Sequence, residues 1–161
     1  MTISQNSVLN TTSSVKSVMS SALLIQKKIR KIFKKKCERI LLIQPLFFPE
    51  EMFDYRLAKN KRYYNYPPYG LGLLAANLKK RGYKIHILDL NMELLRFIKN
   101  LENDNKLIPK IRTYWEKLIT DCVKNFKPDL ASITCMFTMC HPNTKDICKY
   151  LKKKNVFFLV L

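Results

Sequence analysis

Glycine is scarce in this chain: only Gly70, Gly72 and Gly82 occur in 161 residues. A phosphate-cradling G-x-G-x-x-G loop needs three glycines directly after a strand, so that class of nucleotide site is excluded. The five cysteines, Cys37, Cys122, Cys135, Cys140 and Cys148, show no C-x-x-C or related spacing, which argues against a metal finger. Their odd number, without a recognisable secretory signal, suits a reducing compartment. No apolar run approaches the roughly 18 residues that a membrane span needs. Acid is also in short supply, with 12 Asp and Glu against 30 Lys and Arg and a net charge of +18.

Such a charge invites a nucleic-acid reading, because clustered Lys and Arg neutralise phosphates. The distribution speaks against it. Residues 1–36 hold Lys16, Lys27, Lys28, Arg30, Lys31, Lys34, Lys35 and Lys36 and no acid. The rest of the excess is scattered along helices, with no interleaved aromatic platform for stacking bases. Nucleic acid is therefore not an expected partner, and a solvated lysine-rich surface accounts for the charge.

Residues 1–20 are rich in Ser, Thr and Asn and are expected to be disordered. Residues 22–36 set Leu23, Leu24, Ile29, Ile32 and Phe33 among lysines, the pattern of a basic amphipathic helix. It could lie on an anionic membrane surface, giving peripheral contact, or it could fray as a charged extension, which is the simpler reading. An acid-free, Ser-rich start also resembles an organelle transit peptide, although its bases are mostly Lys. The expected organisation is thus an extension over 1–37 and a domain over 38–161, located in the cytoplasm.

From Arg39 the pattern changes. Ile40-Leu41-Leu42-Ile43 is a continuous apolar run ended by Gln44-Pro45, as expected of a strand buried on both faces. A long aromatic and charged loop, Leu46 to Tyr66, follows. Leu71, Leu74, Ala75 and Leu78 predict a helix over Gly70 to Arg81, stopped by Gly82. Further strands are expected at 84–89, 130–134 and 156–160, with helices at Met92 to Leu101, at 109–126 and after Pro142. The 109–126 helix carries Ile111, Tyr114, Trp115, Leu118, Ile119, Cys122, Val123 and Phe126 at i, i+3, i+4, i+7 spacing. Cys122 and Cys148 fall on apolar helix faces and read as core. Alternating strands and helices imply βαβ units and a doubly wound parallel sheet, here in order 2-1-3-4, with ligands bound beyond the carboxyl ends of the strands.

Single residues at those ends carry two readings each. Tyr66-Pro67-Pro68-Tyr69-Gly70 is an extended, stiff approach to a helix. Asp89 could bind a ligand hydroxyl or cap the next helix. His141 could face a ligand or open the helix containing Pro142. His86 lies within a strand and is expected to be half exposed.

Together three segments are more specific: I-L-L-I-Q-P at 40–45, Y-P-P-Y-G-L-G-L-L-A-A-N-L-K-K-R-G-Y-K-I-H-I-L-D-L-N at 66–91, and P-D-L-A-S-I-T-C-M-F-T-M-C-H-P at 128–142. They resemble the N-terminal cobalamin-binding domain of cobalamin-dependent radical S-adenosylmethionine proteins, a group that includes methyltransferases and anaerobic magnesium-protoporphyrin ester cyclases. The resemblance covers about residues 38–161. It implies a flavodoxin-like sheet holding cobalamin at its carboxyl edge through Pro45, Pro67, Pro68, Asp89, Thr134, Cys135, Met136, Phe137, Thr138 and His141. A Ser-x-Leu in the wider cobalamin fold is matched by Thr134 and Met136, keeping a hydroxyl that can donate to a ring nitrogen of the cofactor tail.

Two departures stand out. Gln44 to Tyr55 holds no His, so the D-x-H-x-x-G cobalt-ligating motif of the mutases is missing. The Gly-Gly expected after the fourth strand, where a bare backbone admits the cofactor tail, is not reached. Neither is the C-x-x-x-C-x-x-C iron–sulfur motif. The expectation is a domain truncated after its fourth strand, with no catalytic residue and no metal ligand of its own. The iron–sulfur cluster and S-adenosylmethionine would belong to a radical domain in cis or in trans. The competing expectation is a non-enzymatic α/β module that binds a protein partner or an anionic membrane through its basic start and open sheet edge.

Overall fold

The computed structural model describes residues 36–63, 65–100 and 110–161. The expectations for residues 1–35, and for the helix end at Leu101 and start at 109, lie outside the described residues. Residues 38–161 form one compact unit.

Its centre is strand β1, Arg39–Gln44, whose Leu41, Leu42 and Ile43 are completely buried. An unbroken apolar run has no polar face to turn toward water, so it takes the middle of the sheet with strands on both sides. β2 (Lys84–Asp89) pairs parallel with β1 from Arg39↔Lys84 to Gln44↔Asp89. On the other side lies β3 (Leu130–Ile133), which in turn pairs with β4 (Phe158–Val160), again parallel. The sheet order is 2-1-3-4, the flavodoxin-like order expected from the alternation of elements.

Between β1 and β2 come a 3-10 turn at Glu50–Met52, a short helix α1 (Tyr55–Lys59) and helix α2 (Tyr69–Lys80). Helices α3 (Leu90–Lys99) and α4 (Ile111–Phe126) precede β3, and α5 (His141–Lys153) precedes β4. One face of the sheet, through Leu41, Ile43, Leu88, Ala131 and Ile133, joins the main core of Leu90, Leu94 and Ile98 (α3), Ile111, Trp115 and Ile119 (α4), and Ile147 and Leu151 (α5). Cys122 and Cys148 pack at its margin, half-buried. The opposite face presents Ile40, Leu42 and Ser132, and α2 packs there over β2, burying Leu71 and Ala75.

The chain stops and starts for local reasons. Gly82 takes φ +87 after α2, a left-handed conformation that glycine adopts at little cost. Asp89 accepts the backbone N–H groups of Asn91 and Met92, so α3 begins at Leu90, directly after the strand and earlier than the Met92 start read from the apolar pattern. Asp54 does the same for α1, accepting from Arg56 and Leu57, and builds a helix inside what reads in sequence as a loop.

Candidate functional site

The carboxyl edge of the sheet divides into two halves. Over the main-core half, the chain that leaves β1 folds back and roofs the strands. Asn91 fixes this segment, its Oδ1 accepting from the Phe47 N–H and its Nδ2 donating to the Pro45 carbonyl, both at 2.8 Å. From α5, Asn143 Nδ2 donates to the carbonyls of Leu46 (3.0 Å) and Phe48 (2.8 Å). Glu50 Oε1 accepts the first N–H of α4, from Ile111, at 2.9 Å. Aromatic rings fill the space beneath: Phe53 stacks on Tyr63 at 4.9 Å, and Phe48 meets Tyr63 edge-on at 6.0 Å. A cavity of about 20 Å³ remains among Leu46, Phe47, Phe48, Phe53, Tyr63, Asn91, Leu94 and Leu95, enough for a water-sized group. A shallow depression of about 490 Å³ is lined by the single segment Glu51 to Arg56.

The other half, on the α2 side, is different. Side chains alternate along a strand, so Gln44 and Thr134, each following a main-core isoleucine, turn toward the α2 face. The ladder continues to hold them level, since the Thr134 N–H donates to the Ile43 carbonyl at 3.1 Å. Thr134 is buried, and Gln44 is only 2% exposed. The Gln44 Oε1 nonetheless has no hydrogen-bond partner. Both amide atoms of Asn65, two residues before Pro67, are likewise buried without partners. A buried acceptor without a donor costs about 1–3 kcal/mol, which a folded chain seldom carries without a compensating role. Helix α2 runs antiparallel to the strands, so its amino end lies at this carboxyl edge. Pro68 supplies no side-chain cap there, and nothing stands within 4 Å of a Cβ built on Gly70 or Gly72.

The residues singled out from the sequence are distributed as follows. Pro45 is fully buried, its carbonyl held by Asn91. Pro67 and Pro68 lead into α2, their carbonyls accepting from Tyr69 (2.8 Å) and Gly72 (2.9 Å). Asp89 caps α3, the second of its two readings. Cys135 is half-buried and its N–H donates to the Leu161 carbonyl at 3.3 Å. Met136 and Phe137 are exposed, with Phe137 edge-on to Phe47 at 6.0 Å, and Thr138 opens a 3-10 turn. His141 is the exposed first residue of α5. All of them lie at the carboxyl edge, yet none lines either depression. His86 is exposed and rests against Phe126 at 5.6 Å.

Gln44 and Asn65 are the polar groups that sequence reasoning missed. Gln44 ends an apolar run before a proline and so reads as a strand terminator; only its burial marks it. Burial pushes the Cys140 thiol up, outweighing a backbone N–H from Phe137, and burial does the same to Cys148, which disfavours the thiolate at both. No disulfide joins any of the five cysteines. Among the described residues there is no cluster of three metal-ligating side chains, and no helix is long and apolar enough to cross a membrane. Comparison with protein-family models, with curated proteins and with solved structures gives no match.

Proposed function

We propose that this chain is a cobalamin-binding module, as the resemblance of residues 38–161 implies, and that the cofactor sits on the α2 half of the carboxyl edge. The observation that carries the reading is the buried Gln44 Oε1, an acceptor without a donor, level with the Thr134 hydroxyl on one sheet face. These residues fit a corrinoid: its amide and hydroxyl donors would satisfy the Gln44 Oε1, and the Thr134 hydroxyl would donate to a nitrogen of the cofactor tail. The main-core half does not fit, because its aromatic rings leave a cavity of only about 20 Å³.

In this reading Pro67 and Pro68 hold the amino end of α2 rigidly beside the ligand, Cys135, Met136, Phe137 and Thr138 form the adjoining wall, and His141 lies at the rim. Pro45 and Asp89 act behind them, as the fixed strand end and the α3 cap. Cobalamin, when bound, supplies the cobalt chemistry that a partner radical domain, with its iron–sulfur cluster and S-adenosylmethionine, would use. The chain's own part is binding and orientation, with no catalytic residue assigned. A cytoplasmic location belongs to the same reading and suits cysteines that form no disulfide.

The test is a titration of hydroxocobalamin into the purified chain, followed by the visible spectrum and by Trp115 fluorescence. Gln44→Leu and Thr134→Val should each weaken binding about tenfold, the worth of one lost buried hydrogen bond. An unchanged spectrum at about millimolar cofactor, more than 4 kcal/mol short of micromolar binding, removes the cobalamin assignment.

A further inference from the structure

Helices that connect parallel strands run against them, so the carboxyl ends of α2, α4 and α5 meet at the amino edge of the sheet, opposite the carboxyl edge described above. Bases that look scattered in sequence converge there. Helix α2 ends on Lys79 and Lys80 with Arg81 as its cap, and Lys84 opens β2 two residues after Gly82. Helix α5 ends on Lys152 and Lys153 and is capped by Lys154. From α4 come Lys124 and the capping Lys127. Every one of these side chains is exposed. Against them, among the described residues, stand Glu38 and Asp129, with Asp121 one turn farther up α4. Asp129 is already engaged by the Arg39 guanidinium at 3.6 Å and by two backbone N–H groups.

A single lysine balances the negative end of a helix dipole, whose field fades within the last turn. Helices α2 and α5 each close on three successive bases instead. Lys127 sits at φ 49, a left-handed cap position that Gly or Asn takes at lower cost, so charge is kept at this edge against backbone preference. Helix α2 lies on one face of the sheet and α4 and α5 on the other, which puts bases on both sides of the edge. They spread over about 20 Å across the two helix layers, each about 10 Å from the sheet, and over about 14 Å from β2 to β4. Such a two-dimensional array matches a plane of anionic headgroups rather than the narrow rows of phosphates along a duplex. Phe157 is the one Phe, Tyr or Trp exposed at this edge among the described residues, too few for a platform of stacked bases. We propose that the amino edge docks on the surface of an anionic lipid bilayer, which turns the carboxyl edge toward water. This inference rests on the amino edge alone and stands whether or not the carboxyl edge binds cobalamin.

The probes are vesicles of phosphatidylcholine, with and without about 30% phosphatidylserine to give an anionic surface. The full chain should sediment with the anionic vesicles only, and release from them at about 1 M salt, where charges are screened within about 3 Å. Two sets of five substitutions lower the net charge equally. The edge set is Lys79→Gln, Lys80→Gln, Lys152→Gln, Lys153→Gln and Lys154→Gln. The control set, away from that edge, is Arg56→Gln, Lys61→Gln, Arg62→Gln, Lys117→Gln and Lys145→Gln. Each lysine at an anionic surface is worth about fivefold in affinity, so the edge set should weaken binding at least about tenfold and the control set less than about threefold. The eight bases of residues 1–36 are untouched in both sets, so the difference reports the edge. In bicelles of the anionic mixture, a headgroup nitroxide should broaden the amide signals of Gly82 and Asn155 in the unsubstituted chain and spare those of Thr138 and Asn143. This second measurement needs no variant to fold. Equal losses in the two sets, or none in the edge set, would overturn the inference. So would broadening strongest at Thr138 and Asn143. Tighter binding to a short RNA duplex, with the same dependence on the edge set, would make the occupant a nucleic acid instead.

Discussion

Asn91 and Phe47 are 44 residues apart in sequence, and a 2.8 Å hydrogen bond from the Phe47 N–H to the Asn91 Oδ1 locks the roof of the sheet onto α3. The same side chain holds Pro45 with its Nδ2 and is itself buried. Asn91→Ala therefore strands a backbone donor and a backbone acceptor together. The expected cost is about 2–6 kcal/mol, one to three for each of the two unsatisfied groups. Urea unfolding measures it, and limited proteolysis should cut first within residues 46–54. A loss under about 0.5 kcal/mol, the level of an ordinary surface substitution, would show that the aromatic packing holds the roof unaided.

Asp129 ties the amino ends of two strands. Its Oδ2 accepts from the backbone N–H groups of Glu38 (3.0 Å) and Arg39 (2.9 Å), and Oδ1 lies 3.6 Å from the Arg39 guanidinium. Burial on its own would raise this carboxyl, but the two N–H donors and the Arg39 charge together hold it below its ordinary value. A depressed folded-state pKa means the stabilisation is present above the unfolded value, about 3.9, and is lost as pH falls through the folded one. Unfolding free energy should decline below about pH 4 with a component that Asp129→Asn removes. An identical acid limb in the variant would assign the loss to other carboxylates.

The four strands could be read from the chain because each is a local, mostly apolar run, and their parallel order followed from the helices that alternate with them. Helix α1 could not, since five residues are too few for a visible stripe; its one signal was the Asp54 cap. The site was less legible still. Thr134 was reachable by resemblance. Gln44 and Asn65 were not, because an isolated amide in sequence carries no mark of burial, which arises only when β1 is enclosed and α2 is laid down.

Gln44 gives a prediction of unusual sign. Replacing a buried polar residue by an apolar one of similar volume normally costs its hydrogen bonds, but Oε1 has none to lose. Gln44→Leu should raise the stability of the ligand-free chain by about 1 kcal/mol, the lower part of the desolvation penalty relieved. The same variant should bind hydroxocobalamin more weakly. Thermal unfolding with and without cofactor separates the two effects, and a destabilised ligand-free variant would mean that Gln44 has an internal role.

The glycines divide by backbone conformation, and substitution by alanine tests the division. Gly72 lies inside α2, is exposed, and has nothing within 4 Å of its would-be Cβ. Alanine there should add about 0.5–1 kcal/mol by reducing the freedom of the unfolded chain without a clash. Gly82 also has open space around it, but it sits at φ +87, where a Cβ crowds its own backbone. Gly82→Ala should therefore cost about 1–2 kcal/mol, opposite in sign although the surroundings are equally empty. Both are read from urea midpoints at constant m-value, so that a change in the unfolded state's compactness is not mistaken for stability. If Gly72→Ala were destabilising, the bare backbone at the amino end of α2 would be required by the fold itself. If it stabilises the chain yet weakens cobalamin binding, the open approach at that helix end belongs to the ligand.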